Sequence, residues 1–114
     1  KHPVVGDVRG KNCLIIDDMC DTGGTICKVA EALHKAGANE ISACFTHGVL
    51  SGNAVENISN SHLKKVIVTN TIPTSAGAQK LVESGQIEVL SVAGLLASAI
   101  RSIHDETSVS SLFI

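Results

Sequence analysis

The chain has 114 residues, 44% of them apolar and only 2% aromatic, with a net charge of −2. That suffices for one domain with an aliphatic core of Val, Ile, Leu and Ala. The scarcity of aromatics disfavours a base-stacking platform for single-stranded nucleic acid, and the charge leaves no electrostatic footprint for DNA or a membrane surface.

In chain order, the opening KHPVVGDVRGK is turn-like and lacks the apolar region of a signal peptide. Residues 13–17 (CLIID) read as a buried strand. In residues 25–36, Ile26, Val29, Ala30 and Leu33 form the i, i+3, i+4, i+7 stripe of a helix, with Gly37 as its C-cap. Residues 41–46 read as a second strand and 51–58 as a short helix opened by Ser51. Residues 65–70 form a third strand, 75–84 a helix ended by Gly85, and 87–92 a fourth strand. Residues 93–104 read as a last helix, with Ser91 near its N-cap and Leu95, Leu96, Ala99, Ile100 and Ile103 turned inward. The polar-then-apolar tail ETSVSSLFI is expected to dock elsewhere on the protein.

The βαβαβαβα order predicts an α/β fold: a parallel sheet of about four strands with flanking helices and right-handed crossovers. The near-continuous apolar strands are those expected when helices cover both faces. Four strands are few for this class, so the chain reads as part of a larger domain. No apolar run approaches the roughly 18 residues of a membrane span.

The stretch CLIIDDMCDTGGT (13–25) crowds three carboxylates against a glycine turn. In an open α/β sheet, ligands bind beyond the carboxyl ends of the strands, where this turn lies. Gly23 and Gly24 let the backbone present N–H groups, and the following helix adds partial positive charge. Thr22 and Thr25 add hydroxyl donors, and together these groups suit a phosphate. There is no lysine, so this is not a GxxxxGK[ST] loop, and it is not GxGxxG. Acids beside an anion need another purpose. Asp17, Asp18 and Asp21 suit ribose hydroxyls or a hard cation such as Mg²⁺. The expected ligand is a sugar phosphate, with ribose 5-phosphate the natural fit. Two bland arrangements share part of the pattern. The acids could merely cap a helix. A two-Asp phosphoacceptor site would want a lysine at a later strand end, and those ends read Thr46-His47, Thr69-Asn70 and Val92.

The other polar residues carry less. Cys13, Cys20, Cys27 and Cys44 contain no CxxC pair, which argues against zinc and for free thiols in a reducing cytosol. Cys20 lies in the loop of interest, where a small filler is the simpler reading than a reactive thiol. Asn57-Ile58-Ser59 matches a glycosylation sequon by spelling only. His47 follows the second strand on the ligand side, either lining the pocket or satisfied by backbone. His2, His34, His62 and His104 have no metal-site spacing. Asn53 and Asn57 read as packing or capping residues. Thr69-Asn70-Thr71 is placed near the same cleft without a chemical role. Lys28, Lys35, Lys64 and Lys65 read as solvated.

A hydrophobic strand followed by DDMCDTGGT resembles the phosphoribosyl-pyrophosphate loop of type I phosphoribosyltransferases. The stretches THGVLSGNAVENISNS, KKVIVTNTIP and SVAGLLASAIRSIHDETSVSSLF narrow the resemblance to the ribose-phosphate pyrophosphokinase family, from about Gly6 to Phe113. The resemblance implies a phosphoribosyltransferase-like, Rossmann-like fold over residues 1–114. It also implies a cytoplasmic homo-oligomeric enzyme that transfers diphosphate from ATP to ribose 5-phosphate with Mg²⁺. It assigns Asp17, Asp18, Asp21, Thr22, Gly23, Gly24 and Thr25 to ribose 5-phosphate, and Ser108 and Ser110 to a phosphate or ADP regulatory site. Family members are far longer and built from two similar halves. This chain resembles the C-terminal part, without the ATP-binding segments, the metal-binding residues or the catalytic Lys and Arg. No catalysis by this chain alone is therefore expected. A non-catalytic synthetase-associated homologue and a phosphoribosyltransferase are the alternatives.

Overall fold

The computed structural model describes residues 6–113. Its elements are β1 (Cys13–Cys20), α1 (Gly24–Lys35), β2 (Ile41–Gly48), α2 (Ala54–Ser59) and β3 (Leu63–Thr69). They are followed by α3 (Ala76–Ser84), β4 (Ile87–Leu90), α4 (Ala93–His104) and a 3-10 turn (Ser110–Phe113). His2 lies outside the described residues, as do residues 1–5 of the expected opening turn.

The four strands pair in the order β1-β2-β3-β4, all parallel. Consecutive parallel strands joined by right-handed crossovers place every connecting helix on one face. The core confirms this. Ile41, Ala43, Phe45, Val66, Val68 and Ile87 from the sheet are buried with Ile26, Ala30, Ala54, Ile58, Ala78 and Leu81 from the helices. Ser75 caps α3 by accepting from the Ala78 N–H at 3.2 Å, and Gly85 ends it in the left-handed region at φ 87°.

Coverage of both sheet faces is therefore not what the chain builds. On the second face Leu14 is 57% exposed and Ile16 is 75% exposed, and Leu90 is also exposed. An apolar run shows that a strand suits burial; the strand order decides which face the chain covers. The last helix departs from expectation in the same way. No residue of α4 is buried, and Ile100 and Ile103 stand 68% and 69% exposed. Its stripe is amphipathic, but periodicity names a face and not a partner. Among the described residues, the 3-10 turn of the tail rests on α4.

Other boundaries moved for local reasons. Asn53, not Ser51, precedes α2. A bulge between β2 and β3 pairs Ile41 with Leu63 but Ser42 with Lys65, so Lys64 is the extra residue. This lets Leu63 and Val66, three apart, both face the core. Lys35 and Lys64 are exposed as expected and Lys65 is half-buried; they pair with Glu31, Glu40 and Glu88 at 3.1, 2.6 and 3.2 Å. Exposed pairs of this kind add little stability. The rings of His34 and His62 stack with centroids 3.8 Å apart.

Candidate sugar-phosphate site

β1 runs three residues further than the sequence suggested, through both adjacent acids to Cys20. Asp17 and Asp18 are strand residues, and neighbours on a strand direct their side chains to opposite faces. Only Asp17 of the two lines the cleft beside the turn. That cleft, of ≈ 310 Å³, is walled by Asp17, Met19, Asp21, the Thr22–Thr25 turn and Phe45. The Asp17 carboxylate also accepts the Asp18 N–H at 2.8 Å.

Gly23 makes the turn into α1 with φ 79°, where a side chain would be strained. The helix's first internal bond runs from the Cys27 N–H to the Gly23 carbonyl at 3.0 Å. The N–H groups before it carry the partial positive charge of the helix terminus. The Thr22 hydroxyl accepts the Gly24 N–H at 3.5 Å. The structure thus brings Asp17, Asp21, Thr22, Gly23, Gly24 and Thr25 to one cleft.

The turn is held from outside by Leu50, Ser51 and Asn57, to which the sequence reading gave no such role. Leu50 N–H donates to the Cys20 carbonyl at 3.1 Å, and Ser51 N–H to the Asp21 carbonyl at 3.0 Å. The Ser51 hydroxyl donates to the Asp21 carboxylate. Asn57 of α2 donates through Nδ2 to the Thr22 carbonyl at 2.9 Å. The Cys27 thiol in turn donates to the Asn57 carbonyl at 3.5 Å. An Asn inside a short helix carries no local signal for such a role, which the α1–α2 packing creates.

Cys20 is buried, 3% exposed. Burial first, then the neighbouring Cys27, Asp21 and Asp17, push its thiol up to about 11. Burial likewise raises Cys27. Cys20 therefore stays protonated at neutral pH, the filler rather than the reactive thiol. Ser108 and Ser110 meet with hydroxyls 3.0 Å apart in the turn after α4. Among the described residues their hydrogen bonds stay within that turn.

A family model described as "Phosphoribosyl synthetase-associated domain" matches residues 1–114. The chain belongs to the phosphoribosyl synthetase-associated domain family. Its curated relatives include the ribose-phosphate pyrophosphokinase of Vibrio vulnificus strain YJ016, 49% identical over 96% of this chain and 34% of that protein. That of Clostridium acetobutylicum is 51% identical over 96% of this chain and 33% of that protein. The crystal structure of phosphoribosylpyrophosphate synthetase from Mycobacterium smegmatis superposes with a TM-score of 0.79. It is 42% identical and covers 91% of this chain and 34% of that one. This member of the phosphoribosyl synthetase-associated family thus spans about a third of the length of the relatives it matches. Both the family and the parallel α/β fold expected from the sequence are shown. No helix among the described residues is long and apolar enough to cross a membrane.

Proposed function

We propose that this chain is the ribose 5-phosphate-binding, C-terminal part of a ribose-phosphate diphosphokinase. Such an enzyme transfers diphosphate from ATP to ribose 5-phosphate, making phosphoribosyl pyrophosphate for nucleotide synthesis. One observation carries the reading: the cleft sets the Thr22–Thr25 turn and the α1 terminus beside Asp17 and Asp21. The first pair of features suits a phosphate and the second a diol.

The 5-phosphate takes the N–H groups and hydroxyls of Thr22–Thr25, and Asp17 and Asp21 accept from the ribose hydroxyls. Asp18, on the strand's other side, has the lesser part. Mg²⁺ fits this donor set as an ion held by one or two carboxylates, with ligand oxygens and water completing its shell. Among the described residues no three His, Cys, Asp or Glu side chains gather into a protein-only cation cage. When bound, the ion would neutralise phosphate charge. The ATP-binding and catalytic groups are supplied by chain beyond this third, so the chain alone is inactive. Ser108 and Ser110 serve a phosphate or ADP regulatory site, and the enzyme works as a cytoplasmic homo-oligomer.

Calorimetric titration with ribose 5-phosphate and Mg²⁺ tests this, with an Asp21→Ala, Thr22→Ala double variant beside it. Binding that the variant loses is the expected result. No binding by a chain that circular dichroism shows to be folded would overturn the reading. The description "synthetase-associated" favours a second reading, a non-catalytic homologue that regulates a synthetase. That reading predicts binding of neither the sugar phosphate nor ATP.

A further inference from the structure

Ser51 meets Asp21 twice. Its N–H donates to the Asp21 carbonyl at 3.0 Å, and its hydroxyl donates to Oδ1 of the Asp21 carboxylate. The second oxygen, Oδ2, has no hydrogen-bond partner among the described residues, and Asp21 lines the cleft.

The segment that delivers Ser51 is bent to do so. Leu50 stands in the left-handed region at φ 51°, one of two non-glycine residues to do so among those described, and Gly52 follows at φ 56°. That conformation is costly for leucine, and a residue held in it points to a constraint. Here the constraint is visible. The Leu50 side chain is buried, and the N–H groups of Leu50 and Ser51 reach the carbonyls of Cys20 and Asp21, where β1 ends. A Cβ on Gly52 would come within 3.8 Å of Thr22 Cγ2. The Ser51 carbonyl accepts the Ala54 N–H at 3.1 Å, which ties the same segment to α2. The loop after β2 thus lies along the turn residue by residue: Leu50 on Cys20, Ser51 on Asp21, Gly52 on Thr22.

Ser51 and Asp21 are both exposed, so the hydroxyl–carboxylate bond competes with water and adds little to folding. What it fixes is the orientation of an acid that would otherwise turn freely in water. An acceptor held in place before its ligand arrives loses less freedom on binding.

We propose that Ser51 is the positioning residue of Asp21: it occupies Oδ1 and leaves Oδ2 to accept from a sugar hydroxyl. The inference deepens the sugar-phosphate reading above and rests on it. It also divides the bracing of the turn. Asn57 holds the Thr22 carbonyl, on the phosphate half, and the Ser51 hydroxyl holds the acid, on the sugar half.

Calorimetry with ribose 5-phosphate and Mg²⁺ tests this, with ¹⁵N NMR of the Gly23 and Gly24 amides reporting inorganic phosphate at the turn. Ser51→Ala keeps the backbone bond and loses the hydroxyl. It should weaken sugar-phosphate binding about fivefold, the size of one hydrogen bond, and leave the response to inorganic phosphate unchanged. Ser51→Thr, which restores a hydroxyl, should bind as the parent chain does. Full sugar-phosphate affinity in Ser51→Ala overturns this inference and leaves the site reading intact. An equal loss with both ligands makes Ser51 a brace of the whole turn and overturns its action through Asp21. A Ser51→Thr variant as weak as Ser51→Ala does the same. Inorganic phosphate that leaves the parent amides still, while the sugar phosphate moves them, overturns the division into two halves. A folded parent chain that binds neither ligand overturns this inference and the site reading together.

Discussion

Asn57 donates through its side-chain amide to the Thr22 carbonyl at 2.9 Å, tying α2 to the turn that opens α1. Gly23 packs on the same contact, its absent Cβ facing Asn57, Ile58 and Cys20. The turn is therefore braced by a neighbouring helix rather than by its own sequence. Asn57→Ala removes the donor, and about 1 kcal/mol of stability should go with it. Urea unfolding measures that loss. Calorimetry should show weaker ribose 5-phosphate binding beyond what the stability change explains.

Asp17 and Asp18 leave β1 on opposite sides, and only Asp17 lines the cleft. Asp17→Asn should weaken sugar-phosphate binding more than Asp18→Asn. Equal losses in the two titrations would contradict the assignment of Asp17 as the cleft acid.

Gly48 has no room for a side chain, since a Cβ would lie 2.9 Å from Val68 Cγ1 and 3.1 Å from Val68 Cβ. Val68 is buried in a central strand and cannot yield easily. Gly48→Ala should cost about 1–3 kcal/mol by overpacking. Gly94 in α4 meets nothing within 4 Å. There the same substitution should stabilise by roughly 0.5–1 kcal/mol through helix propensity and a stiffer unfolded chain. Thermal unfolding of the two variants should move in opposite directions.

The Cys20 thiol stands at about 11 in the folded chain against an ordinary 9.0. The unfolded chain then loses this proton first as pH rises. Its contribution is fully present below pH 9 and disappears as pH climbs through about 11, so alkali destabilises the fold through this group. A Cys20→Ala variant should show a flatter decline of stability across that window. At pH 8 an alkylating reagent should label Cys20 last, because the thiolate is the reacting species.

Leu14, Ile16 and Leu90 leave the second sheet face apolar, and α4 carries Leu96, Ile100 and Ile103 to solvent. Surfaces of that kind associate. Light scattering should show mass rising with concentration, and Ile16→Lys together with Ile100→Lys should reduce it. A monomer at all concentrations would count against this.

The sequence by itself determined the order of elements, the parallel sheet and the position of the turn. Those features are local: a 3.6-residue stripe in α1, short apolar runs in the strands, Ser75 and Gly85 around α3, and Gly23 where the backbone must turn left-handed. Local chemistry also marked Thr22–Thr25 as suited to an anion. Tertiary structure decided the rest, because it depends on what meets what. Extending β1 to Cys20 split the adjacent acids across the strand, through pairing with β2 that no window of residues 13–25 contains. The order β1-β2-β3-β4 put all the connecting helices on one face and left the stripe of α4 open. The bonds from Asn57 to Thr22 and from Thr71 to His47 span 35 and 24 residues of chain. A hydrogen bond at such a distance leaves no periodicity and no spacing, and only folding brings its two ends together.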